Sequence, residues 1–226
     1  PSKVRSQIGL GYLLARISDT IADSIRGSAI QRLEALEHYN DRIQNRRNTL
    51  PSLANLAKLQ HNPAEAELLE KAATPVAYLE EFSNTDQQFI RRVLDIIISG
   101  QTLDLQRFSN ANSNSIVSLN KEEELNDYTY RVAGCVGEFW TQISLNHLFE
   151  VHAAKEAQLF ENAVLFGKAL QLINILRDLP EDLRSGRCYI PSTVLAEHNL
   201  KPKDLLRKES MVHFQPIYNS YLKKTV

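Results

Sequence analysis

The 226-residue chain has few of the residues that punctuate a fold. Eight glycines and eight prolines leave long uninterrupted stretches. The apolar–polar alternation of a half-buried strand is almost absent from them, so a sheet has little room to form. The only two cysteines, Cys135 and Cys188, have neither metal-site spacing nor close pairing. That pattern reads as two reduced thiols in a cytosolic protein. Neither sign of charge is in surplus: 26 Lys and Arg against 27 Asp and Glu leave a net charge of −1. No basic field for nucleic acid and no acidic tail follows from such a balance. No unbroken apolar run reaches the roughly 18 residues that a membrane span needs, and no signal peptide is visible. A GxGxxG dinucleotide motif is missing. None of the six histidines stands three residues after a glutamate, which sets aside a di-iron carboxylate bundle. Methionine is scarce as well. The only one is Met211 and the chain opens on Pro1, which reads as a chain that has lost its natural beginning.

What remains is helical. Hydrophobic residues make up 43% and charged residues 23%, the balance of a soluble globular protein. The 3.6-residue period predicts helices over roughly 5–25, 28–46, 63–82, 86–100, 121–148, 154–183 and 210–224, with shorter turns near 192–208. Asn120 followed three residues later by Glu123 is a capping-box pattern for the helix start at 121. Pro191-Ser192-Thr193 marks another helix entry. The small polar segment 109–118, SNANSNSIVS, reads as a loop within one domain rather than a linker.

Two stretches carry unusual polar stripes. In QLINILRDLPED, residues 171–182, Gln171, Asn174, Asp178 and Asp182 fall at offsets 0, 3, 7 and 11. At about 100° per residue they share one stripe of a helix whose other positions are mostly leucine and isoleucine. In YLLARISDTIADS, residues 12–24, Arg16, Asp19 and Asp23 repeat the first three offsets. Ionised carboxylates one turn apart repel each other unless a cation lies between them. An all-oxygen donor set suits Mg²⁺, which keeps several waters and is commonly shared with phosphate oxygens. The expectation is two acidic helices facing each other across a cavity and holding Mg²⁺–diphosphate, with Arg16 and Arg177 neutralising the phosphates. Pro180, inside the second pair, is expected to kink or end its helix and take Asp182 off the stripe.

A third stretch, LNDYTYRVAGCVGEFW (residues 125–140), places Ala133, Gly134 and Gly137 in a helix, where each glycine costs about 1 kcal/mol relative to alanine. Such a cost is offset where a neighbouring helix or a ligand chain approaches the backbone. Tyr128 lies just upstream.

Taken together and in this order, YLLARISDTIAD, DYTYRVAGCVG and QLINILRDLPEDLRSGRCYIP resemble the squalene and phytoene synthase family of head-to-head prenyl transferases, over roughly residues 5–195. The DTIAD form of the first motif resembles the squalene branch more than the phytoene branch. The resemblance implies an all-α isoprenoid-synthase bundle with a central apolar cavity, formed by a single domain over 1–226. It also implies that the chain lacks the family's N-terminal segment and C-terminal helices.

The implied chemistry is a Mg²⁺-dependent condensation of two farnesyl diphosphates through presqualene diphosphate to squalene, with NADPH supplying hydride. Within the family the alternatives are dehydrosqualene or phytoene synthesis, the latter from geranylgeranyl diphosphate. Outside it stand a prenyl diphosphatase and a non-catalytic relative. By the same resemblance Asp19, Asp23, Asp178 and Asp182, with Asn174, bind Mg²⁺–diphosphate. Arg16, Gln171, Asn174 and Arg177 orient the diphosphates. Tyr128 matches the first tyrosine of the family's Tyr-x-x-x-Val-Ala-Gly motif, which moves a proton. Gly134, Gly137, Ala133, Phe139, Leu165 and Phe166 are expected prenyl-chain walls. So greasy a product suggests loose contact with a membrane surface.

Overall fold

Helical periodicity decides nearly every element. A computed structural model describes residues 1–24 and 28–225. Its helices are α1 (Ser2–Ala22), α2 (Ala29–Ile43), α3 (Ala54–Leu59), α4 (Pro63–Glu70), α5 (Ala73–Tyr78), α6 (Asn84–Arg107), α7 (Glu122–Thr129), α8 (Cys135–His147), α9 (Ala153–Ser185), α10 (Ser192–Glu197) and α11 (Met211–Lys223). The first expected helix ends at Ala22; its last expected residue, Ile25, lies outside the described residues. The helix expected over 63–82 is broken into α4, α5 and a closing 3₁₀ turn, Leu79–Glu81. Only α3 has no counterpart among the expected helices.

Three local expectations need correction. The start near 121 is capped by a different pair: Lys121 is the N-cap, and Glu124, not Glu123, reaches back to the Asn120 N–H at 2.6 Å. The helix expected over 121–148 is interrupted by a π-turn at Tyr130–Gly134. Pro180 does not end α9, which continues to Ser185 although the ring removes one N–H from the ladder.

The chain forms two compact units. One comprises residues 1–106 and 138–159, the other residues 107–137 and 160–226. In the first, Leu14, Ile17 and Ile21 of α1, Leu36, Tyr39 and Ile43 of α2, and Ile90, Leu94 and Ile98 of α6 are buried. The Tyr39 hydroxyl donates to the Leu14 carbonyl at 3.0 Å, satisfying the one polar atom it brings inside. Asp86, 3% exposed, ties three helices together. It meets His147 Nε2 of α8 at 2.7 Å and accepts from Gln7 Nε2 of α1 at 3.2 Å and Asn146 Nδ2 at 3.4 Å.

The second unit is built on α9. Leu172, Ile175, Leu176, Leu179 and Leu183 pack with Phe108, Tyr189, Ile190, Leu195, Phe214 and Ile217. The segment expected as loop over 109–118 ends in a strand: β1 (Val117–Ser118) runs parallel to β2 (Arg187–Cys188). Gly186 makes this possible. Its φ of +91° turns the chain out of α9, and a Cβ there would lie 2.3 Å from the Asn112 nitrogen. Both cysteines are buried free thiols.

The sequence has no unbroken apolar run of about 18 residues, and among the described residues α9 is long and apolar enough to cross a membrane by length and composition, with 22% of its most apolar 18-residue stretch buried. The two charges inside that stretch, Glu161 and Lys168, break the run without breaking the helix.

Candidate functional site

The two acidic stripes lie in different units, and each is a half-site with its own geometry.

The first is built on the last turns of α1. Arg16 donates to Asp19 and, through its other terminal nitrogen, to Glu65 of α4 at 2.6 Å. Burial pushes the Asp19 carboxyl above the ordinary range; Arg16 pulls it down and the Glu65 charge adds to the rise. Asp23 is the C-cap of α1, with its N–H bonded to the Asp19 carbonyl at 2.8 Å. An anion at a helix C-terminus opposes the helix dipole.

The second half-site runs along α9. The Asn174 amide donates to Gln171 Oε1 at 3.4 Å. Arg177 forks onto Asp178, Nε to Oδ1 at 2.7 Å and Nη2 to Oδ2 at 2.6 Å. That fork holds the Asp178 carboxyl below the usual range, so it is ionised at neutral pH. Asp182 is half-buried one turn further on, past Pro180. In both half-sites an arginine of the same helix occupies the first aspartate. The charge that the sequence assigns to a metal is thus partly answered by the protein.

Among the described residues no three His, Cys, Asp or Glu side chains converge as a ready-made metal cluster. The donor set nevertheless fits Mg²⁺. Each half-site offers oxygen ligands only, from two carboxylates one turn apart, to an ion that takes few protein ligands and keeps its waters.

Tyr128 stands in the last turn of α7, half-buried, its ring stacked on Tyr189 with centroids 4.8 Å apart. The glycines beyond it are explained by a helix rather than by a ligand chain. A Cβ on Gly137 would lie 2.0 Å from the Ala163 carbonyl oxygen of α9, and one on Gly167 of α9 would lie 2.4 Å from the Ala133 carbonyl oxygen. Gly134 packs on Lys168 and Val164 in the same contact. The substrate-wall expectation for Gly134 and Gly137 therefore gives way to tight helix packing. Phe139 is buried against Gly11 of α1, whereas Phe166 and Leu165 are exposed.

Sequence reasoning missed Glu65, the π-turn and Gly167. Glu65 lies 49 residues from Arg16 and nothing local marks it.

The sequence pattern of the squalene/phytoene synthase family matches residues 1–225. The phytoene synthase of Arthrospira platensis is 28% identical over 211 residues, covering 91% of this chain and 58% of that protein. The phytoene synthase of Thermus thermophilus is 42% identical over 89 residues, 39% of this chain and 28% of that one. Among solved structures, a complex of TcSQS with the ligand E5700 superposes with a TM-score of 0.77 at 18% identity, covering all of this chain and 61% of the other. Squalene synthase HpnC from Alicyclobacillus acidocaldarius superposes at 0.65 and 17% identity, covering all of this chain and 70% of the other. The chain spans between 19% and 58% of the length of such curated relatives.

Proposed function

This chain belongs to the squalene/phytoene synthase family and has its all-α isoprenoid-synthase fold, and from that premise we propose that it carries the diphosphate-binding machinery of a head-to-head prenyl synthase. The observation that carries the proposal is the repeated half-site, with an aspartate pair one turn apart and an arginine of the same helix already on the first aspartate.

Asp19 and Asp23 in one half-site, and Asp178 and Asp182 with Asn174 in the other, would hold Mg²⁺, which supplies positive charge to a departing diphosphate. Arg16 and Arg177, which donate to Asp19, Glu65 and Asp178 in the free protein, would turn to phosphate oxygens as the metal takes those carboxylates, and so stabilise the departing charge. Gln171 and Asn174 present an amide pair on the same stripe for orienting the diphosphate. Tyr128, clamped flat against Tyr189, is the proton-transfer candidate. Its rigidity suits a group that must meet one carbon of a reactive allylic cation and no other. Ionisation of the first prenyl diphosphate gives that cation. Attack by the double bond of the second, with loss of a proton, gives a cyclopropylcarbinyl diphosphate.

Two finer readings remain. The DTIAD motif supports farnesyl diphosphate as substrate and squalene as product, with NADPH as hydride donor. The names of the curated relatives support phytoene as product, for which the family resemblance implies geranylgeranyl diphosphate as substrate. The second reading weighs more. Alignment at 28% identity along 91% of the chain carries more about chemistry than structural likeness at 18%, which speaks for fold alone.

The test incubates the protein with each diphosphate and Mg²⁺, with and without NADPH, and separates the hydrocarbons formed. A C30 or C40 head-to-head product supports the proposal; free prenol alone overturns it.

A further inference from the structure

Between α7, α9 and α11 lies a cavity of about 460 Å³, within the size range of small-molecule sites. By helical spacing, Leu165, Ala169 and Leu172 of its α9 lining are turned well away from the stripe of Gln171, Asn174, Asp178 and Asp182, while Lys168 stands one turn before Gln171 on the flank of that stripe. Its apolar wall is therefore separate from the half-site already described. Its apolar part is unusual for a protein surface, with Leu165 56% and Phe166 66% exposed next to each other at its edge.

One polar group in its lining lacks the partner that its charge calls for. Lys168 is half-buried and its ammonium donates to the neutral Asn126 side chain at 2.7 Å, with no carboxylate of the described residues at ion-pair distance. Desolvation pushes its pKa down, with only the charge of nearby Asp127 opposing. The neighbouring Lys224, by contrast, is answered by Glu122 at 2.9 Å. A half-buried cation facing a neutral amide is costly.

We infer that this cavity is a second ligand site, for a single-chain amphiphile with an anionic head: the tail lies along Leu165, Phe166 and Leu172, and the head accepts hydrogen bonds from Lys168. The site is independent of the prenyl-diphosphate reading and needs no metal.

The probe is dodecyl phosphate below its micellar concentration, titrated calorimetrically into the 226-residue chain in EDTA. Saturable one-to-one binding is expected. Lys168→Met and Leu165→Glu should each weaken it about tenfold or more, a loss on the scale of one charge-assisted hydrogen bond. Leu165 is exposed, so its substitution leaves folding intact, and circular dichroism verifies this for both variants. Dodecyltrimethylammonium, with the same tail and opposite head, should bind at least about tenfold more weakly for the same reason. Asp178→Asn should bind the probe as the parent does. Absence of saturable binding in EDTA overturns the inference, as does binding undiminished in both Lys168→Met and Leu165→Glu. Loss of binding in Asp178→Asn places the amphiphile on the diphosphate stripe and also overturns it.

Discussion

Asp178 and Asp19 carry the same formal charge in opposite states of comfort. The fork from Arg177 stabilises the Asp178 carboxylate, whereas burial raises the pKa of Asp19 in spite of Arg16. Replacing either by Asn keeps shape and removes charge. Each variant should lower turnover by about 10²–10³, the usual cost of losing one stabiliser of developing charge. The far-ultraviolet circular dichroism should stay unchanged. Activity near that of the parent would make the stripes structural. Asp19 also predicts a pH effect on stability. Its folded pKa lies above its unfolded value near about 4, so between the two the folded chain binds more protons than the unfolded one. Stability contributed by this group therefore falls as pH rises through that window. In Asp19→Asn the loss is absent, and melting temperatures measured from about pH 4 to 7 should show the variant gaining on the parent as pH rises. The arginines were read as phosphate donors and not as partners of Asp19 and Asp178; the stripes themselves were legible from offsets of 3 and 4. Glu65, the second acceptor of Arg16, was not, because only the packing of α4 brings it there.

The contact that matters most between elements is the one across Ala133–Gly137 and Ala163–Gly167, where backbones approach too closely for any side chain. Gly137→Ala would place a methyl 2.0 Å from a carbonyl oxygen, and backbone on both sides leaves nothing flexible to move. Its expected cost is at least about 2–3 kcal/mol of stability by urea titration. A gain, as Gly→Ala brings in an open helix position, would show that the helices can part. Asp86 makes the comparable tie in the other unit, with partners 60, 61 and 79 residues away. Asp86→Ala leaves His147, Asn146 and Gln7 without their common acceptor. It should cost about 1–3 kcal/mol, the usual result of leaving buried hydrogen-bonding groups unsatisfied; a shift in urea midpoint within error of zero would contradict the tie. Element boundaries were read to within about two residues at the start of α2 and the end of α9, whereas the end expected at residue 100 fell short of Arg107. They failed at the π-turn, where the apolar period continues while the hydrogen bonding changes. At Pro180 the expected break did not occur, because α9 is fastened by Leu179 and Leu183 on either side.

For the whole molecule the prediction concerns product length. With the two substrates supplied in competition, we expect geranylgeranyl diphosphate to be consumed at least about tenfold more efficiently than farnesyl diphosphate, a difference of roughly 1.4 kcal/mol in transition-state binding. NADPH should not alter the product. Preferential squalene formation, stimulated by NADPH, would restore the reading taken from the DTIAD motif. Few glycines and long helical periods pointed to an all-α bundle, and the fold bears that out.

Helix identity and the acidic half-sites were determined by the sequence because both depend on spacings within about ten residues of one another, where the chain's own geometry sets which side chains are neighbours. Glu65 at Arg16, Asp86 among three helices, the glycine seam and the cavity beside Lys168 were decided only by tertiary structure. In each the partners lie tens of residues apart, and their meeting depends on how separate helices pack rather than on any repeat along one of them.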